Sequence, residues 1–550
     1  MNNLKGNWFI PVSGMLFVCS SLRRITLSSL VCVPVSFLTL LVIALLTESV
    51  IPHVKNDRTG HKLFWLLTTI GIGLSNYDCC SRKWVASPKL AGLLGRLPFG
   101  DSAWAAPALY ICLLVLGLPF VYVCLTIFGQ KLRAVTAKHR IFSDISKTER
   151  IVYALLLAVI FSLTTAVFLD TNAFSVPDPN YNVIYTSDSP FLVKNNVYTH
   201  LFHLENDLRQ PLFAIFAAPF TGAAYLLGRL LPAFGTPAGL LPALFTNFAQ
   251  IVMLIAACFM MSRLLRLSAA GRMGFCLLFV STYTFILAPL MMEQYVVAFF
   301  WLMLAALCTV EGKAADADEV DDMVLIGAAG TLLTSVLCTP LASRRSPLRE
   351  FRQWFGSMLR TAGGFVLCVL AFGRVDVLFG LTAAFGGFSR YDGEALTLSG
   401  KLMQYSVFLK NVFVRPEAAV SMGEFPSWQL LPAETFSIFG IIVFLLAALS
   451  VVLNRDKPAV VLSGCWAAFS LVVLVVLGWG TAENGLILYS LYFGWAFFVL
   501  LFALMQKLCE ALDKPGLLPV LCAVGIVTLW VFNVPAIREL IDFAKTYYPI

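Results

Sequence analysis

The chain has 550 residues, of which 59% are hydrophobic and 13% charged, and its formal net charge is +8. Soluble domains typically carry about 25% charged residues, so this composition excludes an ordinary soluble protein. The positive charges lie in short loops between apolar runs, as the positive-inside rule predicts for membrane proteins, and this placement argues against a nucleic-acid partner.

Apolar runs of membrane-spanning length recur from one end of the chain to the other. They are continuous rather than alternating, which favours helices over a membrane β-barrel. We therefore predict an all-α, polytopic transmembrane protein of roughly 11–14 spans in a lipid bilayer. The predicted spans are 27–49, 104–129, 151–169, 211–229, 241–262, 273–291, 294–310, 323–342, 361–380, 436–453, 459–478, 486–506 and 518–535. Two shorter apolar runs, 8–22 and 63–76, are predicted to be interfacial or re-entrant.

The basic loops predict the orientation of these spans. Residues 130–150 contain a dense group of Lys and Arg residues and are expected in the cytoplasm. This orientation places 170–210 and 381–435 outside, together with the C-terminus. If 211–229 and 323–342 are both full spans, the number of crossings is inconsistent with the sides of the membrane assigned to the loops. Either at least one of them is re-entrant, or one basic loop does not follow the rule.

The first outside loop, from Asp170 to Phe213, is much longer than the handful of residues that usually joins two helices. Its apolar spacing over 190–205 predicts a short amphipathic helix on the membrane surface. An acid held at a lipid–water boundary can be desolvated and oriented for general-base catalysis. The alternative is a solvated connector whose acids only keep it in water. The acids of this loop are Asp170, Asp178, Asp188, Glu205 and Asp207.

The order of these features resembles a known superfamily. A basic cytoplasmic stretch precedes one helix that ends at Asp170, and the acid-bearing loop ends in Arg209-Gln210-Pro211-Leu212-Phe213. Together with the junction 288–295, this layout resembles the GT-C superfamily of polyprenyl-phosphate-sugar-dependent glycosyltransferases. That superfamily includes protein O-mannosyltransferases and lipid A aminoarabinose transferases. The resemblance covers about 151–510. It departs from the usual Asp-Glu pair, because Thr171 follows Asp170, and this leaves open which acid is the base.

The resemblance implies a GT-C-like fold and a sugar transfer on the outer face of a bacterial inner membrane, with inversion at the sugar. The donor is expected to be a polyprenyl-phospho-sugar and the acceptor a hydroxyl of a glycan or lipid. The implied organisation is an N-terminal membrane region over 1–150, catalytic helices over 151–380, an outside loop over 381–435 and C-terminal helices over 436–550.

For the base, Asp188 is the first candidate and Asp170 the second. The hydroxyl groups that flank Asp188 are placed to orient its carboxylate, although Ser and Thr beside Asp also simply favour a turn. The leaving lipid phosphate needs cations, and the planar fork of Arg suits phosphate best. The outside cations are Lys194, Arg209, Arg390, Lys401, Lys410 and Arg415. Glu293 and Glu483 lie at outer helix ends, where they contact substrate or only cap a turn.

His200, His203, Glu205 and Asp207 form an H-x-x-H-x-E-x-D pattern. In a helix, the two histidines would share one face, and imidazole with carboxylate is a workable set of ligands for a divalent metal. The alternative is a pair of ordinary interfacial histidines. A divalent metal is the one cofactor that the pattern suggests.

Two other functions would also require many helices. The first is a transporter or flippase for a lipid-linked or small substrate, although no repeated halves are visible in the sequence. The second is an O-antigen-type polymerase or ligase, which would share the outside loops. Sequence motifs do not separate these functions from the glycosyltransferase.

Overall fold

The structure is a computed structural model, and it describes most of the chain. The described residues are 8–21, 34–45, 59–98, 100, 103–174, 183–201, 210–231, 240–314, 321–337, 347–375, 377, 396–479, 484–514 and 516–550. All statements below concern these residues.

The described chain is mostly helical. Its α-helices are α1 Phe9–Ser21, α2 Pro34–Leu45, α3 Thr59–Val85, α4 Pro88–Leu94, α5 Ala105–Lys138, α6 Lys147–Asp170, α7 Ser189–Lys194, α8 Phe213–Leu230, α9 Leu240–Leu264, α10 Ala269–Val280, α11 Tyr283–Leu287, α12 Tyr295–Ala314, α13 Asp322–Thr331, α14 Pro347–Ala371, α15 Leu398–Phe413, α16 Ile438–Leu453, α17 Pro458–Leu471, α18 Ser490–Ala511 and α19 Leu517–Tyr547. An antiparallel hairpin joins β1 Ala418–Met422 to β2 Pro426–Leu430.

Within the described ranges, eight helical segments are long and apolar enough to cross a membrane. They are Ala105–Lys138, Lys147–Asp170, Phe213–Leu230, Leu240–Leu264, Tyr295–Gly312, Pro458–Val476, Leu486–Ala511 and Leu517–Tyr547. Shorter apolar helices accompany them. The prediction of a polytopic helical membrane protein is confirmed. The GT-C-like arrangement and the number of crossings stay predictions.

The chain forms two compact units that are not sequential. Unit 1 comprises Met1–Lys138, Lys194–Ala249 and Leu359–Ala383, and unit 2 comprises His139–Val193, Gln250–Met358 and Ala384–Ile550. The functional roles given above to 1–150, 151–380, 381–435 and 436–550 stay predictions.

The predicted span 273–291 is not one helix. Helix α10 ends at Val280, the helical conformation is interrupted at Ser281 and Thr282, and the short α11 follows. Asn533 of α19 stabilises this break, because its Nδ2 donates to Ser281 O at 2.9 Å and to Phe413 O at 2.8 Å. Carbonyls freed at a helix end need such donors inside a bilayer.

Three other predicted segments also differ from the observed ones. The apolar run 63–76, predicted to be interfacial or re-entrant, is part of the longer, 27-residue helix α3, and its placement in the membrane stays a prediction. The predicted span 323–342 begins with the ten-residue α13 and continues as a 3₁₀ turn, Leu333–Leu337. The segment 381–435, predicted to be one outside loop, contains α15 and the hairpin. Helix α15 packs against the start of α16, where Ser437 N donates to Ser406 Oγ at 2.9 Å.

In unit 1, α3 and α8 run parallel and in close contact. A Cβ atom at Gly71 would lie 1.9 Å from Gly222 O, so this crossing requires glycine. Helix α5 runs antiparallel to α3, with Gly129 against Trp65. The start of α8 therefore lies at the same end of unit 1 as the C-terminal end of α5, and the rings of Phe128 and Phe216 are 6.4 Å apart.

The chain before α8 runs back along that helix. Asn196 Nδ2 donates to Tyr225 OH at 3.0 Å, and the rings of Tyr198 and Phe213 are 5.2 Å apart.

The predicted amphipathic helix over 190–205 is wrong within the described part, because α7 ends at Lys194 and Asn196 has a left-handed φ of 50°. Leu192, Val197 and Leu201 are buried in the protein rather than exposed to lipid.

Candidate active site

The candidate site lies in unit 2, where Val183–Ser189 joins the edge of the hairpin. Trp428 N donates to Val183 O at 2.7 Å, and Tyr185 N donates to Trp428 O at 2.8 Å. This isolated parallel bridge attaches the segment to the edge of the two-stranded sheet. The backbone of the segment is therefore fixed by a partner more than 200 residues away in sequence.

Two consecutive residues of this segment adopt left-handed backbone conformations. Tyr185 has a φ of 48° and Thr186 a φ of 55°. Non-glycine residues in this region are strained and persist only where their surroundings hold them. Here the buried Tyr185 hydroxyl is 2.7 Å from Tyr283 OH and accepts from Trp428 Nε1 at 3.1 Å. Strain of this kind clusters at functional sites, which makes the segment a candidate.

The Tyr185 hydroxyl remains protonated at physiological pH. Burial raises its pKa to about 12, while the hydrogen bonds with Tyr283 and Trp428 oppose the rise and the negative charge of Glu539 adds to it. The hydroxyl thus acts as a neutral hydrogen-bonding group that fixes the loop.

Glu293 supports the next turn of this loop. Its side chain is buried, with 6% of the residue exposed. Oε1 accepts hydrogen bonds from Ser187 Oγ and from Asp188 N, both at 2.6 Å. Hydrogen bonds to a carboxylate are short and strong, so Glu293 fixes the backbone at Asp188. In the same contact, Ser189 Oγ accepts from Met292 N at 2.6 Å.

The turn that carries Glu293 is itself held from α9. Gln250 Nε2 donates to Met291 O at 2.9 Å and to Ala288 O at 3.3 Å. These contacts stabilise the non-helical chain between α11 and α12. The side-chain amide of Gln250 therefore holds the turn that carries Glu293, and the carboxylate of Glu293 holds the backbone of Asp188.

Asp188 is exposed at the edge of this rigid loop. Its carbonyl accepts from Leu192 N at 2.9 Å and so begins α7. A carboxylate at the solvent edge of a fixed backbone is placed to accept a proton from an approaching hydroxyl group. Among the predicted site residues, the structure brings Asp188 and Glu293 together.

Asp170, the second candidate for the base, has a different environment. Its Oδ2 lies 2.6 Å from Lys545 Nζ, near the C-terminal end of α19. The neighbouring Thr171 Oγ1 donates to Tyr548 O at 2.6 Å. Asp170 therefore helps to join the C-terminal ends of α6 and α19.

The remaining predicted substrate contacts are dispersed or lie beyond the described ranges. Lys194 is exposed as the last residue of α7. Lys401 lies near the start of α15. The other end of this helix contacts α11, where Val412 O accepts from Thr284 Oγ1, the residue after Tyr283. Lys401 is roughly 17 Å from Val412 along the helix axis. The predicted residues outside the described ranges are Arg209, Arg390, Glu483, His203, Glu205 and Asp207.

The one predicted metal ligand that the structure describes, His200, is fully buried in unit 1. Its Nε2 lies 3.1 Å from Asn76 Oδ1 and 3.4 Å from Cys80 Sγ, both on α3. His200 follows the end of α7, so the helical face predicted for it and His203 does not form at this residue. No group of three or more His, Cys, Asp or Glu side chains with the arrangement of a metal site occurs among the described residues.

The exposed surface of α19 indicates where the hydrocarbon layer ends. One face of this helix carries exposed apolar side chains as far as Val534, and Arg538 follows on that face with 84% of its side chain exposed. Asn533 precedes Val534 and binds Ser281 O, two residues before Tyr283. The pair Tyr185–Tyr283 therefore lies close to this boundary. The apolar residues of the face are Val520, Val524, Val527, Val531 and Val534.

Sequence reasoning missed several residues that build the site. Tyr185, Trp428, Gln250 and Asn533 position the loop, but none belongs to a recognisable motif. For Gln250 and Asn533, a detectable signal existed, since each is a polar amide inside a long apolar run.

None of the family models, characterised proteins or solved structures with which the chain was compared matches it. These comparisons assign no family, and the resemblance to the GT-C superfamily stays a prediction. The function has to be inferred from the site.

Proposed function

We propose that the chain is a membrane glycosyltransferase that moves a sugar from a polyprenyl-phosphate carrier to an acceptor hydroxyl on the outer face of the membrane. The observation that carries this proposal is the exposed Asp188 on a loop fixed by the buried Glu293. A general base must be held in a productive orientation, and this loop supplies that rigidity.

In the proposed reaction, the acceptor oxygen attacks the anomeric carbon as the bond from that carbon to the phosphate oxygen breaks. The bonding electron pair leaves with the lipid phosphate, and Asp188 takes the proton of the acceptor hydroxyl. This single displacement inverts the configuration at the anomeric carbon. Glu293 is a positioning residue that acts through the Asp188 backbone.

The location of the site is consistent with this substrate class. Tyr185 and Tyr283 lie close to the end of the apolar surface of α19, where lipid headgroups begin. A lipid-linked donor would present its phosphate and sugar at that depth, and on the outer face, where the basic loops predict this site, a nucleotide sugar in the cytosol would not reach it. The depth thus supports a lipid-linked donor.

The test replaces Asp188 by Asn in the purified full-length protein. Release of polyprenyl phosphate from a panel of polyprenyl-phospho-sugars is measured with cell-envelope lipids and glycans as acceptors. We expect the rate to fall by roughly 10²–10⁴-fold, the usual contribution of a general base. The control is Asp542→Asn, which removes an exposed acid of α19. Equal rates for wild type and Asp188→Asn would contradict the assignment.

One feature favours the transporter or flippase as a second candidate. Unit 1 buries a polar cluster of His200, Asn76 and Cys80 beside the non-helical chain that precedes α8. Non-helical backbone and ionisable groups at membrane depth often line a substrate path. Transbilayer movement of a fluorescent polyprenyl-phosphate lipid in proteoliposomes tests it, because a transferase without transport activity leaves the lipid distribution unchanged.

A further inference from the structure

The proposed site is rich in negative charge and needs a cation for a phosphorylated lipid. Glu293 and Asp188 contribute two carboxyl groups within one loop contact. Lys and Arg side chains stabilise a phosphate that enters such a site. Among the predicted outside cations that the structure describes, Arg415 is connected to Tyr185 through Glu539 and through the hairpin.

Two connections link Arg415 to the site. It follows Phe413, whose carbonyl is bound by Asn533, and it precedes β1 of the hairpin that holds Tyr185. Its Nη1 also lies 3.8 Å from Glu539 Oε1, the carboxylate whose charge acts on the Tyr185 hydroxyl.

The ion pair between Arg415 and Glu539 is weak and open. The side chains are 50% and 59% exposed, and 3.8 Å is longer than a hydrogen bond. Exposed pairs of this kind contribute little to stability, so the guanidinium is readily available to another anion. Arginine binds phosphate through two parallel hydrogen bonds, which a single carboxylate at this distance does not provide.

The depth of the pair suits a lipid phosphate. Glu539 lies five residues beyond Val534, about 7 Å further along the α19 axis. Since the exposed apolar face ends at Val534, the pair lies just outside the hydrocarbon layer, at the level of headgroups.

We propose that Arg415 binds the phosphate of the lipid-linked substrate, and that Glu539 is the counter-ion that holds the guanidinium until the lipid arrives. This inference rests on the proposed function, because it takes the substrate to be a polyprenyl-phospho-sugar. It assigns opposite effects to the two partners: loss of Arg415 weakens binding of the lipid, and loss of the Glu539 charge strengthens it.

The test measures binding of farnesyl phosphate, which carries no sugar, to the purified full-length protein in nanodiscs by titration calorimetry. We expect Arg415→Ala to raise Kd at least tenfold, Arg415→Lys to raise it less, and Glu539→Gln to lower it about two- to fivefold. The matched control is Arg538→Ala, which removes the neighbouring arginine of the lipid-facing surface and leaves Kd unchanged.

Dioleoyl phosphatidate serves as a second probe. If Arg415→Ala weakens binding of both lipids, or of farnesyl phosphate alone, Arg415 binds the lipid phosphate, as proposed. An effect on phosphatidate alone, an unchanged Kd, or weaker binding by Glu539→Gln would overturn the proposal. Because binding is measured without turnover, failure of Arg415 is distinguishable from failure of the transferase assignment, which the Asp188→Asn rate tests separately.

Discussion

The backbone amide of Asp188 donates to the buried carboxylate of Glu293 at 2.6 Å, and the two residues are 105 positions apart in the sequence. This contact joins the loop that precedes α7 to the turn between α11 and α12. The two acids also differ in exposure, since Glu293 is buried while Asp188 is exposed. We therefore propose different roles for them, with Glu293 positioning the loop and Asp188 acting as the base.

Replacing Glu293 by Gln is expected to lower kcat by about tenfold to a hundredfold with little change in KM. The neutral amide accepts more weakly from Ser187 Oγ and Asp188 N, and strong hydrogen bonds to charged groups contribute about 1.5–3 kcal/mol. The measurement is the steady-state rate of sugar transfer. The control is Glu417→Gln, an exposed acid that pairs with Lys410 outside the loop contact. A change confined to KM would show that Glu293 binds substrate instead of positioning Asp188.

Asp170→Asn is expected to change the transfer rate less than about threefold, in contrast to Asp188→Asn. Asp170 forms an exposed ion pair with Lys545, and such pairs contribute roughly 0–1 kcal/mol. The decisive measurement is the ratio of the two rates under identical conditions. Should Asp170→Asn lose activity as completely as Asp188→Asn while the protein stays folded, the choice between the two candidate bases would reverse.

The sequence predicted the class of fold well and the contacts of the site poorly. Membrane helices are detectable because hydropathy is averaged over windows of about 20 residues. Helix α3 appeared too short because the buried Asn76 and partly exposed Asp78 lower that average. The break after α10 was missed because apolar residues flank it on both sides. Its stabilising partner, Asn533, lies 252 positions away, and single-sequence patterns do not report such contacts.

For the site as well, the sequence indicated the residues but not their contacts. Asp188 and Glu293 were each recognisable, because acids at helix ends in an apolar chain are conspicuous. Their contact was not predictable, since it depends on the strained backbone of Tyr185 and Thr186 and on the hairpin that holds them. A pattern of residue types carries no information on such a distant pairing.

Asn533→Leu is expected to destabilise unit 2. The substitution leaves Ser281 O and Phe413 O without their side-chain donor, at a cost of about 1–3 kcal/mol for each buried carbonyl. The measurement is the Tm of the purified protein in detergent. Asn533→Asp is the informative companion, because it keeps the size but lacks the donors, and we expect an equal or larger loss. A normal Tm for Asp would show that volume rather than hydrogen bonding matters. Val534→Leu, on the exposed face, is the control.

Glu149→Gln is expected to destabilise the opposite end of unit 2. Arg272 donates to both carboxylate oxygens of Glu149, at 2.7 and 2.9 Å, and the Glu149 side chain is fully buried. Removing one charge of a buried pair leaves the other uncompensated, which typically costs 3–5 kcal/mol. The double variant Glu149→Gln with Arg272→Gln, measured by the same thermal assay, should recover part of the loss. No recovery would indicate that the pair does not act as a unit.

The last prediction concerns the direction in which α8 crosses the membrane. In unit 1, Arg229 near the end of α8 binds Asp78 on α3, and Tyr110 near the start of α5 binds the neighbouring Asn76 O. The end of α8 thus lies at the same end of unit 1 as the start of α5. The basic C-terminal end of α5 lies at the other end, and that end is expected in the cytoplasm. If all of 170–210 were outside, as the loop lengths predicted, α8 would begin outside and end in the cytoplasm.

The contacts in unit 1 favour the reverse direction, because the chain from Asn196 onward runs back along α8 before the helix begins. Single cysteines at Thr186, Ala137 and Leu231 distinguish the two topologies, in a background that lacks reactive native thiols such as the exposed Cys112. Intact cells are labelled with a membrane-impermeant maleimide, and permeabilised cells show that each position reacts when reached. We expect labelling at Thr186 and Leu231 and none at Ala137. Labelling at Thr186 without Leu231 would restore the simple outside loop, and labelling at Ala137 alone would place the Asp188 loop in the cytoplasm and remove the lipid-linked donor from the mechanism.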